Sequence, residues 1–173
     1  IHYIDGEIKT EGDLDKLWFP DTDDIERRLE ELVRKSNDAG FGVIYGTQSA
    51  AFTSTVAIGF EDFCLAVMDR PSFVHDLQRR LQDYAMRELE IALRYPIDVV
   101  KIGSGPVTKN GPMLSPAMME EYELVLLEEQ ARTAKSNGLP VALHIDGFIE
   151  PMIETFIDMG VDILNPIEPC DGK

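Results

Sequence analysis

The chain has little cysteine, no long apolar run and half as many basic as acidic residues. Its two cysteines, Cys64 and Cys170, stand far apart in 173 residues, so a disulfide framework is not expected. The 16 Lys and Arg residues against 32 Asp and Glu residues give a formal net charge of −16. A field of that sign repels phosphate backbones and anionic membrane surfaces, which disfavours nucleic-acid binding and membrane-surface attachment.

Neither a secretory signal nor a membrane span is recognisable in residues 1–173. No stretch approaches the roughly 20 continuous apolar residues of a membrane span, and the start at Ile1 has no secretory signal architecture. We therefore expect a cytoplasmic compartment and no membrane partner. At 44% hydrophobic residues the chain can bury a core. Because it starts without Met and ends soon after a strand-like run, we expect residues 1–173 to be one domain that is an internal fragment of a longer barrel protein.

Apolar strand-like runs alternate with amphipathic helical stretches along the chain. Helices are predicted over 25–39, 60–68, 71–93, 115–137 and 149–159, and strands over 42–46, 98–103, 141–145 and 161–165. Residues 47–50 are predicted to form a loop. Residues 17–20 are predicted to form an irregular segment held by burial of its aromatic side chains.

This alternation predicts the α/β class, because strands that are apolar throughout need helices on both faces of a parallel sheet. No glycine-rich dinucleotide fingerprint or phosphate loop follows a predicted strand, which disfavours nucleotide-binding folds. A complete (β/α)8 barrel takes about 250 residues. The sequence therefore predicts a partial TIM-type (β/α)8 barrel with about four of its eight strand-helix units.

Polar residues stand at the end of each predicted strand, where a parallel barrel builds its active site. His144 and Asp146 are two residues apart on an extended chain, so their side chains share a face. Such a pair suits a divalent metal ion or acid–base catalysis near neutral pH. The alternative is that His144 is a hydrogen-bonded core residue.

Ser104, Asn165 and Glu168 are predicted to contact a small-molecule substrate. Glu168 has two alternative interpretations, as a third metal ligand or as an ordinary charge at a helix N-terminus, and Asn165 is open to a structural interpretation too. No nucleophile elbow surrounds Ser104, which argues against a nucleophilic serine.

Three sequence blocks carry a family resemblance. Residues 110–116 (NGPMLSP) open a long helix, and residues 138–147 (GLPVALHIDG) and 160–169 (GVDILNPIEP) span the last two predicted strands. In this order and spacing they resemble the uroporphyrinogen decarboxylase superfamily, and its branch of cobalamin-dependent methyltransferases more than the decarboxylases proper. The resemblance implies a TIM-type barrel with a deep mouth. In the methyltransferase branch it also implies zinc, which activates a thiol acceptor for attack on a methylated corrinoid.

The zinc motif of that branch is His-x-Cys followed by a distant Cys. His144 matches the motif and Asp146 occupies the position of the first cysteine, while Cys170 lies too close to be the distant one. A carboxylate in place of a thiolate makes a harder site. The resemblance thus implies His144 and Asp146 as metal ligands, zinc and a corrinoid as cofactors, and a corrinoid protein as a partner.

We therefore expect a methyltransferase that moves a methyl group to or from a small acceptor. One alternative is a metal-free decarboxylase of a porphyrinogen-like carboxylated substrate, whose arginine-rich segment and early aspartate are absent from these residues. The other is a non-catalytic ligand-binding barrel. Half a parallel barrel leaves two strand edges and an apolar face uncovered, so a homo-oligomer is expected.

Overall fold

The computed structural model describes residues 5–169 and contains a four-stranded parallel sheet. Its strands are β1 (Ile44–Gln48), β2 (Val99–Gly103), β5 (Val141–His144) and β6 (Ile163–Asn165). A short antiparallel hairpin of β3 (Val107–Thr108) and β4 (Gly111–Pro112) lies in the connection between β2 and β5. The spatial order β1-β2-β5-β6 follows the chain without the reversal of a doubly wound sheet. The α/β class and the partial TIM-type barrel are confirmed.

Seven α-helices are present in residues 5–169. They are α1 (Thr22–Asp38), α2 (Ala50–Ile58), α3 (Phe60–Asp69), α4 (Pro71–Ala92), α5 (Pro116–Met119), α6 (Val125–Ser136) and α7 (Ile153–Asp158). Two 3₁₀ turns, Glu11–Lys16 and Glu150–Met152, precede α1 and α7. Every predicted helix is confirmed to within a few residues.

The predicted helix over 115–137 contains a change of helical type. Ser115 caps the N-terminus of α5, where its side chain accepts a hydrogen bond from the amide of Met118. The segment Glu120–Leu124 is a π-helical turn that joins α5 to α6 without a break. This wider turn is rare and is frequently found at functional sites.

The prediction of a loop over 47–50 is wrong. Thr47 and Gln48 complete β1, and α2 begins directly after Ser49, whose hydroxyl oxygen accepts a hydrogen bond from the amide of Phe52 at 3.1 Å. A serine in this position satisfies one of the amides that the first helical turn leaves unpaired. The strand therefore passes into a helix with one residue between them.

The core lies between the helices and one face of the sheet. The strand side chains of Val100, Ile102, Val141 and Leu143 are fully buried. Their neighbours in the core include Phe63, Phe73, Leu77, Leu89, Leu127 and Phe156. The opposite face is open, since Ile44 and Ile163 on it are 62% and 44% exposed.

The aromatic side chains of residues 17–20 are not all buried, in contrast to the prediction. Phe19 stacks on Tyr84 of α4 with ring centroids 4.7 Å apart, but Trp18 is 80% exposed. Aromatic burial is therefore wrong for Trp18. The preceding 3₁₀ turn is anchored by Leu14, which is buried.

Within residues 5–169, no single helix is both long enough and apolar enough to cross a membrane. Helices α2 and α3 reach that length and composition only as a pair, and the pair is bent by 107°. Their side chains at Ile58, Phe63 and Val67 belong to the core.

Candidate active site at the strand ends

One row of residues crosses the sheet at the C-terminal ends of its strands. Gln48, Gly103, His144 and Asn165 are register partners across β1, β2, β5 and β6. Residues in one row direct their side chains to the same face, and this row shares the open face with Ile44. His144 and Asn165 therefore lie where a parallel barrel has its mouth.

The structure brings His144 and Asn165 into direct contact. Nδ1 of His144 and Oδ1 of Asn165 are 2.9 Å apart. Because the amide oxygen only accepts, this contact requires the proton on Nδ1. Asn165, predicted to contact substrate, is here the hydrogen-bond partner of the histidine, and its contact with substrate stays a prediction.

Asp146 follows the strand end and is exposed. Ile145, between it and His144, is buried on the helix side. Within residues 5–169 the Asp146 carboxylate has no hydrogen-bond or ion-pair partner. The carboxylate is therefore available to a ligand.

Glu168 holds the loop that follows β5. Its Oε2 accepts a hydrogen bond from the amide of Gly147 at 2.7 Å, and the next amide, that of Phe148, donates to the carbonyl of Thr108 in the hairpin at 2.8 Å. Gly147 has φ +98°, and a Cβ there would lie 2.5 Å from the Thr108 carbonyl oxygen. Only glycine fits, so Glu168 and the hairpin together fix the backbone next to His144.

A small cavity opens beside this loop. Its volume is about 170 Å³, and its lining comprises Gly147, Phe148, Ile149, Glu150, Ile153, Leu164, Ile167, Glu168 and Pro169. Ligand pockets usually measure about 300–1,000 Å³. The cavity suits one small group rather than a whole cofactor.

Ser104 lies apart from the His144–Asn165 pair. It follows Gly103 by one residue, so its side chain is on the helix side, where its hydroxyl donates to Oε1 of Glu123 in the π-helical turn. The structure does not bring Ser104 to the open face with His144 and Asn165. Substrate contact by Ser104 stays a prediction.

Two further residues lie on the open face, Lys101, which the sequence did not single out, and Gln48, which belongs to the polar cluster 45–48 after the first predicted strand and was given no role. Lys101 stands one row below His144 between Gly46 and Ala142, and within residues 5–169 its side chain has no hydrogen-bond or ion-pair partner. An ionisable residue inside an otherwise apolar parallel strand is a signal that finds it from sequence. The side-chain amide of Gln48 packs against Gly103. A Cβ atom at position 103 would lie 2.0 Å from Oε1 of Gln48, so this packing requires a glycine there.

The residues at the mouth fit a metal ion only in part. His144 and Asp146 offer nitrogen and oxygen donors of suitable chemistry, but residues 5–169 contain no group of three or more His, Cys, Asp and Glu side chains that could hold a metal. Zinc sites use at least three protein ligands. Cys170, the cysteine nearest to this motif, lies outside the described residues.

These features define part of a TIM-type barrel with a polar site at its mouth. The sequence model of the family described as Uroporphyrinogen decarboxylase (URO-D) matches residues 3–168, and the chain belongs to this family. No curated protein matches the chain by sequence.

A solved structure titled "methyltransferase from Methanosarcina mazei" is similar in fold, with a TM-score of 0.64 at 15% sequence identity. The match covers 79% of this chain and 40% of that protein, so the chain spans well under half of its length. At this identity the likeness shows the fold alone.

Proposed function

We propose that this chain is part of a corrinoid-linked methyltransferase that moves a methyl group to or from a small acceptor at the barrel mouth. The observation that carries the proposal is the His144–Asn165 hydrogen bond, which occupies Nδ1 and leaves Nε2 of His144 as the ring nitrogen that can bind a metal ion at a strand end. Membership of the uroporphyrinogen decarboxylase family and the fold likeness to a methyltransferase support it.

His144 and Asp146 have defined roles in this proposal. Nε2 of His144 and the Asp146 carboxylate would be two ligands of a metal ion, zinc for preference, whose remaining ligands come from outside the described residues. A bound zinc ion would lower the pKa of a thiol acceptor. Because only two ligands are at hand, no step of the reaction is assigned to the metal. In the absence of a metal ion, the same Nε2 atom could instead accept the proton of the acceptor.

The first experiment measures metal content by elemental mass spectrometry on the full-length protein. We expect close to one zinc per chain in the wild type, and its loss in His144→Ala and Asp146→Ala. His75→Ala is the matched control, because His75 is exposed and pairs with Glu121 at 2.9 Å away from the strand ends. A second assay measures the rate of methyl transfer from a methylated corrinoid to a thiol through the change in corrinoid absorbance. This rate must fall in the two variants that lose zinc.

Lys101 favours a second candidate function, decarboxylation of a porphyrinogen-like substrate without a metal. A lysine without a partner on the open face suits a substrate carboxylate. This candidate predicts a wild type without zinc, release of carbon dioxide from carboxylated tetrapyrroles, and a KM that rises at least about tenfold in Lys101→Met. Ligand binding without either reaction would indicate a non-catalytic barrel.

A further inference from the structure

A glutamate is buried beneath the strand ends. Glu123 lies in the π-helical turn Glu120–Leu124 and is completely inaccessible to solvent. No Lys, Arg or His of residues 5–169 pairs with it. Burial of a carboxylate without a cation is costly, so its neighbours must satisfy it by hydrogen bonds.

The partners of Glu123 come from the ends of two neighbouring strands. Oε2 accepts from the hydroxyl of Ser49, which follows β1, at 3.1 Å, and Oε1 accepts from the hydroxyl of Ser104, which follows β2. The amide of Gly105 adds a backbone hydrogen bond. One carboxylate thus joins the helix to both turns, and none of the groups that face it is charged.

Backbone hydrogen bonds continue this connection to the candidate site. The amide of Ser49 donates to the carbonyl of Gly103 at 2.7 Å, and the amide of Ser104 donates to the carbonyl of His144 at 2.9 Å. Two helical turns after Glu123, the Nε2 group of Gln130 donates to the carbonyl of Gln48 at 3.1 Å. The helix therefore holds the ends of β1 and β2, and β2 in turn holds the end of β5.

We propose that Glu123 is a positioning residue of the active site. By holding Ser49 and Ser104, its carboxylate fixes the turns after β1 and β2, and through the Ser104 amide it fixes the backbone of His144. The proposal rests on the function proposed above only in taking His144 as the residue to be placed. It also explains why the predicted site residue Ser104 faces the helices rather than the mouth.

The test compares Glu123→Gln with Gln78→Met in the full-length protein. Gln78 is the matched control, because it is buried and its side chain donates to the carbonyl of Tyr122 in the same π-helical turn at 2.8 Å, without a bond to a strand end. Hydrogen exchange of residues 103–106 and 144–147 is measured from pH 6 to pH 8, together with kcat and KM for methyl transfer.

We expect two results. Opening of the wild-type turns becomes easier as the pH rises through neutrality, because opening exposes a carboxyl that burial keeps protonated. Glu123→Gln abolishes this pH dependence and lowers kcat by about 10- to 100-fold at an unchanged KM, since a displacement of about 1 Å has that effect on a rate. Gln78→Met keeps the wild-type pH dependence and stays within about twofold of the wild-type kcat.

Wild-type exchange and kcat in Glu123→Gln would overturn the proposal, as would an equal change in Gln78→Met. If Glu123→Gln does not fold, Ser104→Ala replaces it, since it removes one donor and leaves the carboxylate, and it must alter exchange at the same turns. Altered exchange in an enzyme that transfers no methyl group would refute the proposed function and leave the positioning role intact. Methyl transfer by the wild type, together with unaltered exchange in Glu123→Gln, would support the proposed function and refute the positioning role.

Discussion

At the scale of single residues, burial governs the chemistry of Glu123. Burial raises its pKa to about 7 from an ordinary 4.5, although the hydroxyls of Ser104 and Ser49 and the amide of Gly105 act in the opposite direction. A carboxyl of this kind is neutral in mildly acidic solution and charged in mildly basic solution. Its charge therefore changes within the range in which cellular enzymes work.

The same shift predicts how stability depends on pH. Between about pH 4.5 and pH 7 the folded chain keeps a proton that the unfolded chain has released, so the free energy of unfolding falls as the pH rises through this window. The full difference is on the order of 3 kcal/mol. Denaturant titrations at pH 5 and pH 8 should show that Glu123→Gln gains stability relative to the wild type as the pH rises. Gln78→Met should follow the wild type, and a constant difference between Glu123→Gln and wild type would contradict the raised pKa.

Asn165 gives a second prediction at this scale, for the tautomer of His144. Asn165→Leu removes the oxygen that accepts the Nδ1 proton, so we expect a mixture of tautomers and, where zinc is bound, a 10- to 100-fold loss of affinity. Asn165→Asp keeps an acceptor and should keep the tautomer. ¹⁵N spectra of histidine-labelled protein report the tautomer directly, and an unchanged ring in Asn165→Leu would contradict the assigned role.

At the scale of elements, the helix start and stop signals were good predictors. The predicted helices over 115–137 and 149–159 begin or end at such residues: Ser115 caps α5, and Gly138 and Gly160, both with positive φ, follow α6 and α7. Helix α2 was missed because most of its side chains are buried or half-buried, which removes the amphipathic period. The π-helical turn was missed because no sequence pattern distinguishes it from an α-helical one.

The part of the candidate site that depends on local sequence patterns was predictable, and the part that depends on long-range packing was not. Alternation along a strand predicts a common face for His144 and Asp146, and the parallel sheet predicts Asn165 at the same edge. The structure pairs His144 with Asn165, while β5 ends at His144, before Asp146. Glu123 is separated from its partners by 74 and 19 residues, so only the packing of the helix on the sheet brings them together. Contacts of that kind have no local signal in a single sequence.

The loop after β5 gives a prediction at the element scale. Gly147→Ala forces a side chain into a left-handed conformation and against the Thr108 carbonyl, so we expect a loss of about 1–3 kcal/mol in the free energy of unfolding. Gly12→Ala is the control, because no positive φ or close contact restricts Gly12, and it should stay within about 0.5 kcal/mol of wild type. Denaturant titration distinguishes the two. Equal effects would show that Gly147 is not confined by the hairpin.

At the scale of the whole molecule, the open face and the edges of the sheet are the exposed features. In the described residues β1 and β6 form the two edges, and the face that carries His144 also exposes Ile44 and Ile163. An unpaired edge beside an apolar face favours pairing with another chain. A polypeptide of these 173 residues therefore has a physical reason to associate with itself.

We predict that this polypeptide forms oligomers through the open face at micromolar concentration. Sedimentation velocity should detect them, and Ile163→Lys, which places a charge on the open face beside the β6 edge, should shift the population toward monomer. Leu65→Lys is the control, because Leu65 is 59% exposed on α3 rather than on the open face, and it should leave the distribution unchanged. A wild-type monomer would contradict self-association altogether. Oligomers that Leu65→Lys disrupts and Ile163→Lys does not would place the contact on the helical layer, where it would leave the His144 face free for the substrate.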